Sequence, residues 1–212
     1  MTNTSRLARA LGLAFAATAL LAVTTTSPAT AQAAAPTEQG ADASPAAGGQ
    51  FRYQKNSAQP LNSKLTWKQG TTVRGQWRAG SGNGAQIKNS CAKNRGWLPN
   101  GNYDGRLHAA DYNGSAIKGV AWYLSDKKCH NGTLRTELFI HSEMTRNGGQ
   151  QCTSRPDDPT CWEGAQDYAS NGCIKLSPND IKAADRISRQ YGGPGYGSRR
   201  FPNLLVVTGP NS

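Results

Sequence analysis

The sequence predicts a mainly β fold (β-rich α+β), a mixed β-sandwich-like domain with one packed α-helix and disulfide staples. Three observations lead there. Short β-branched or aromatic runs recur between turn residues, one segment alone carries both ends of a helix, and the chain holds five cysteines. "TTVRGQWR" (71–78) alternates and reads as a strand. "AIKGVAWYL" (116–124), "TLRTELFIH" (133–141) and "NLLVVT" (203–208) are strand-like runs bounded by Gly, Asn, Asp and Pro. The helix lies in "SPNDIKAADRISRQYGG". Ser177 is its N-cap, Pro178 its first residue, and Asp180 follows three after the cap. Ile181, Ala184, Ile187 and Ser188 share one face, and Gly192-Gly193 end the pattern. The Gly-rich stretches "GSGNGAQ" and "GGPGYG" read as turns, because neither follows a strand and opens a helix. The sequons at Asn113 and Asn131 have Gly in the middle and read as hairpin turns.

Residues 1–31 read as a signal peptide. Arg6 and Arg9 precede an apolar run, and Ala29-Thr30-Ala31 supplies a small-residue cleavage site. The run covers 14 residues, 10–23, whereas a bilayer span needs about 20. No transmembrane segment is therefore expected, and the mature chain is expected to be secreted or associated with a cell wall. Residues 32–50 hold no large apolar side chain and read as a flexible linker. That leaves 51–212 as a single domain, long enough to bury a core. Without the signal arginines, 22 basic residues face 13 acidic ones. Such a surface is drawn to polyanions, anionic wall polymers among them.

The cysteines divide unevenly. Cys152 and Cys161 flank the short polar loop "TSRPDDPT", which suits a local bridge. Cys91 and Cys129 would then tie an early loop to the hairpin before residue 133, although four cysteines allow two other connectivities. No zinc or other metal site is expected. C-x-x-C is absent, and His130 beside Cys129 lacks a second ligand pair.

Cys173 is the odd thiol, set just after Asn171-Gly172. Three roles compete: a nucleophile, an intermolecular bridge, or a packed inert residue. His141 closes an apolar strand where a polar stretch begins, a place from which it can point into a cleft. A thiol beside an imidazole is a minimal acyl-transfer pair. Backbone N–H groups at a Gly-containing turn can also face a developing oxyanion.

"FIHSE" (139–143), then "SNGCIKL" (170–176) and a capped helix, resembles the catalytic signature of the L,D-transpeptidase (YkuD-type) family. The resemblance covers roughly 133–187. It implies Cys173 as nucleophile, His141 as base, Ser142 as the residue orienting the imidazole, and the N–H groups of Gly172 and Cys173 as an oxyanion hole. Ser170, Asn171, Lys175 and Tyr168 are then expected along the substrate. Arg78, Trp122, Tyr123 and Trp162 are further candidates for the cleft or the core. Asn171 stands where the family usually has His, and Lys175 where it has Arg, which loses the bidentate fork. His141 and Cys173 lie 32 residues apart, longer than the family's usual spacing. The excess reads as an insertion over 144–167, clipped by Cys152 and Cys161.

The implied reaction is acyl transfer on peptidoglycan stem peptides through a Cys thioester, either cross-linking or L,D-carboxypeptidase hydrolysis, with no cofactor. The implied partner is peptidoglycan or another anionic cell-wall polymer, not nucleic acid, and the protein is expected to act as a monomer. Two other classes compete. One is a disulfide-stapled extracellular binding or inhibitor protein with a buried free thiol. The other is a small basic nuclease using His141 with Glu137 or Glu143, which leaves Cys173 without a role.

Overall fold

The computed structural model describes residues 48–153 and 158–210. The expected signal peptide and the linker up to residue 47 lie outside the described residues. The linker's last three residues do not, and the last two of them already belong to strand β1, Gly49–Gln54. Trp67 explains why Gly49 can open that strand: a Cβ there would meet the indole ring at 2.1 Å.

Strands β2 (Ser63–Gln69) and β3 (Thr72–Ala79) form a hairpin on β1. The long β4 (Gly101–Asn113) is followed by β5 (Lys118–Leu124) and by a two-stranded ribbon of β6 (Lys127–Lys128) and β7 (Leu134–Arg135). Then come β8 (Phe139–His141), β9 (Ile174–Lys175), helix α1 (Pro178–Gln190) and β10 (Phe201–Thr208). The main sheet runs β3-β2-β1-β10-β4-β5-β8-β9.

Its two end strands meet. Gly80, just past β3, exchanges hydrogen bonds with Lys175 of β9 at 3.0 and 2.9 Å. One sheet thus curls until its edges touch, so the facing layers of the expected sandwich are made by a single continuous sheet. Helix α1 contacts both β3 and β5, between which four strands lie, a reach that only a curled sheet permits. The helix is built as its sequence predicts: the Ser177 hydroxyl accepts from the Asp180 N–H at 3.2 Å, and Pro178 opens it. Ile181, Ala184 and Ser188 are buried, but Asp185 takes the inward place beside them while Ile187 is only partly covered.

Alternation fills the interior. Phe51 and Tyr53 of β1, Leu65 and Trp67 of β2, Trp122 and Leu124 of β5, and Leu205 and Val207 of β10 are all buried. The 133–141 run does not form one strand. Glu137 has φ 54°, a left-handed conformation that breaks an extended chain, so β7 joins the ribbon and β8 joins the main sheet. Both expected disulfides are present, Cys91–Cys129 and Cys152–Cys161, and Cys173 is the free cysteine. Among the described residues no helix is long and apolar enough to cross a membrane.

Candidate functional site

Strands β8 and β9 pair in parallel, with Ile140 opposite Ile174 and His141 opposite Lys175. Ile140 and Ile174 both enter the core. Because side chains alternate along a strand, Phe139, His141, Cys173 and Lys175 share the opposite face. Cys173 packs there with Phe139 and Ala121, and Tyr112, Ile117 and Tyr123 border the cluster. Tyr123 stacks on Phe139 at 4.6 Å, which places this cleft candidate on the same face as the thiol.

Two shifts set the protonation states. Burial, the nearby Lys175 charge and a backbone contact act on His141, and the first two dominate, lowering its pKa to about 3. The Nδ1 atom lies 3.0 Å from the Ser142 carbonyl oxygen. As that oxygen can only accept, Nδ1 carries the proton and Nε2 is left with its lone pair. Ser142 thus orients the ring through its backbone, not its hydroxyl. Burial pushes the Cys173 thiol up to about 11, against the opposing influences of the Phe139 amide, Arg135 and Lys175. The thiol donates toward the Glu137 carbonyl at 3.6 Å. Among the described residues no hydrogen bond joins it to the imidazole. The resting site is therefore a neutral thiol and a neutral imidazole on one face of adjoining strands.

The turn before Cys173 is tightly determined. The Gly172 N–H donates to the Ser170 hydroxyl at 3.2 Å, and that hydroxyl donates to the Cys173 carbonyl at 2.7 Å. The Gly172 amide is thus engaged, while the Cys173 N–H makes no hydrogen bond to any described residue. Gly172 has φ 112°, and a Cβ on it would meet Arg135 Nη2 at 2.0 Å. Asn171 is exposed and its Oδ1 accepts from Asn83 Nδ2 at 2.7 Å.

Lys175 and Tyr168 are placed less openly. The Lys175 ammonium is held by Glu143 at 2.5 Å and by the Ala169 carbonyl at 2.9 Å, so it is a buried ion-pair partner. Tyr168 is packed under the Arg78 guanidinium at 3.9 Å and against the Trp162 ring at 4.9 Å. Trp122 is wholly in the core. Oxygens of Glu143, Glu163 and Asp167 lie within 4.8 Å of one another. Lys175 supplies their counter-charge, and Asp167 accepts from the Glu163 and Gly164 amides.

Arg135 is the residue that sequence reading misses. It sits in a run whose pattern is that of a strand, yet the residue is only 3% exposed. It donates to the carbonyls of Ser90 at 2.6 Å, Gly96 at 3.1 Å and Asn171 at 3.4 Å. The Cys91–Cys129 bridge fixes the loop that supplies the first two. A larger cavity of about 620 Å³, among Asp104, Arg106, Ser125, Arg199, Arg200 and Phe201, contains none of the predicted site residues.

No family model matches the chain, and no curated protein matches it. Among solved structures it is similar to Bd1075 of Bdellovibrio bacteriovorus, with 15% identity and a TM-score of 0.40. The match covers 75% of this chain and 48% of that one, so this chain spans about half the length of that protein. A likeness of this degree carries no argument about fold or function.

Proposed function

We propose that the protein is a secreted L,D-transpeptidase-like acyl transferase acting on peptidoglycan stem peptides, with Cys173 as nucleophile and His141 as base. The observation that carries this reading is the parallel β8–β9 pair. It brings the one unbridged cysteine and a tautomer-fixed histidine, 32 residues apart in sequence, onto one face. Attack by Sγ on the carbonyl of the L-centre diamino acid forms the S–C bond. His141 Nε2 takes the thiol proton, and the unengaged Cys173 N–H faces the developing oxyanion. Collapse breaks the C–N bond, and the imidazolium returns its proton to the departing D-alanine amine. The thioester then passes to a side-chain amine of a second stem, or to water.

The test is release of D-alanine from a disaccharide-tetrapeptide. Cys173→Ala and His141→Ala are each expected to lose at least about a thousandfold, non-additively, since nucleophile and base act as one unit. A carbapenem is expected to add to Cys173 in the wild type, seen as a mass increase, and not to Cys173→Ala. Wild-type turnover by Cys173→Ala sinks the proposal. One observation favours a second reading, a binding protein with a packed thiol: Cys173 is 8% exposed and its pKa is raised. Under that reading neither carbapenem nor substrate modifies the wild type.

A further inference from the structure

Buried arginines are as a rule matched by an acid. Arg135 is not. Its three hydrogen bonds go to backbone carbonyls, which satisfy dipoles without neutralising charge, and they use one N–H of Nη1 and those of Nη2. A guanidinium has five N–H donors, so the Nε and second Nη1 donors remain. Beside it lies a cavity of about 120 Å³ lined by Lys93, Asn94, Leu134, Arg135, Thr136 and Asn171. Its lining holds two cations and no acid. Lys93, at the exposed mouth, makes no ion pair with any described residue. Counting roughly 30 Å³ per water, the space suits a group of about four to six heavy atoms. It also adjoins the nucleophile's turn, since Asn171 lines it and Gly172 presses against Arg135 Nη2.

We propose that this cavity is a carboxylate-binding subsite, in which Arg135 and Lys93 hold the C-terminal carboxylate of the stem peptide beside Cys173. The assignment rests on the acyl-transfer reading for the identity of its ligand. The carboxylate supplies the missing counter-charge to a pre-organised guanidinium, a strong and orientation-specific contact. It selects an acyl donor with a free C-terminus over an amidated or extended one. Lys93 stays in solvent and contributes mainly by charge.

The test separates binding from turnover by using Cys173→Ala, titrated calorimetrically with the disaccharide-tetrapeptide and with its C-terminal amide. The acid is expected to bind at least about tenfold more tightly than the amide. Equal affinity for the two, or no binding of either, overturns the subsite. In the same background Lys93→Ala is expected to narrow the preference several-fold without touching the fold. Arg135→Lys, checked for folding by circular dichroism, is expected to abolish most of it; a folded Arg135→Lys that keeps the full preference also overturns the assignment. D-alanine release by the wild type is measured separately. Release without acid preference removes the subsite and spares the catalytic reading, whereas acid preference without release does the reverse.

Discussion

His141 and Cys173 are both shielded from water, and burial acts on them in opposite directions. A base that loses its hydration is harder to protonate, and an acid that loses it is harder to ionise. With the imidazole near 3 and the thiol near 11, the neutral pair persists across the whole physiological range. Under the proposed acyl-transfer reaction, proton transfer would then accompany attack instead of preceding it. The pH dependence of carbapenem acylation should accordingly be flat between about 4 and 9. Below that plateau the base is lost as His141 protonates; above it the thiolate itself accumulates. An acid limb centred near 6.5 would show a solvent-like histidine and contradict the buried geometry. In the same assay Arg135→Met should shift the alkaline rise upward, because the guanidinium favours the thiolate. At this scale the sequence exposes the proposed nucleophile by cysteine count and the proposed base by its strand-end position. It conceals Arg135, since nothing in "TLRTELFIH" shows that a positive φ at Glu137 splits the run and leaves Arg135 buried in a separate two-stranded ribbon.

Between elements, the best-defined joint is that of α1 with the sheet. His108 of β4 is fully buried, stacks on Trp122 at 4.7 Å and lies 3.0 Å from Asp185 of the helix. Asp185 is also gripped by Arg189 at 3.0 Å and by the Tyr196 hydroxyl at 2.6 Å. Burial alone would raise its pKa, but these partners hold it at about 2. His108→Ala leaves a buried carboxylate short of one partner and should destabilise the domain by about 3 kcal/mol, read by denaturant unfolding. Activity per folded molecule should be unchanged, since His108, Trp122 and Ile140 lie in register on the core face of the sheet, opposite the face shared by His141 and Cys173. The helix itself is legible because cap, proline and apolar face all agree. The β3, β5 and β10 runs are legible for the same reason. Strand β4 is not: "GNYDGRLHAADYN" is rich in Gly, Asn and Asp, which strands disfavour, and two register shifts against β5 interrupt its alternation.

For the molecule as a whole, the arrangement hinges on a pairing that spans nearly the entire described chain. Strand β1 lies parallel to β10, with Phe51 opposite Leu205 and Gln54 opposite Thr208, and β10 in turn carries β4. The hairpin half, β1 to β3, and the half that bears His141 and Cys173 are joined through this strand and through the narrow Gly80–Lys175 seam. A chain ending at Ser198 should therefore lack a cooperative unfolding transition, although every residue of the β8–β9 face is still present; a sharp transition would mean the seam alone suffices. During synthesis the same pairing imposes a schedule. The interior strand is the last to be made, and contacts between residues so far apart form slowly. Until residue 208 has emerged the sheet lacks its middle, so the nascent chain has no complete fold in which to become trapped. Such a chain stays an open, threadable polymer until that strand is made, and becomes a folded body only afterwards.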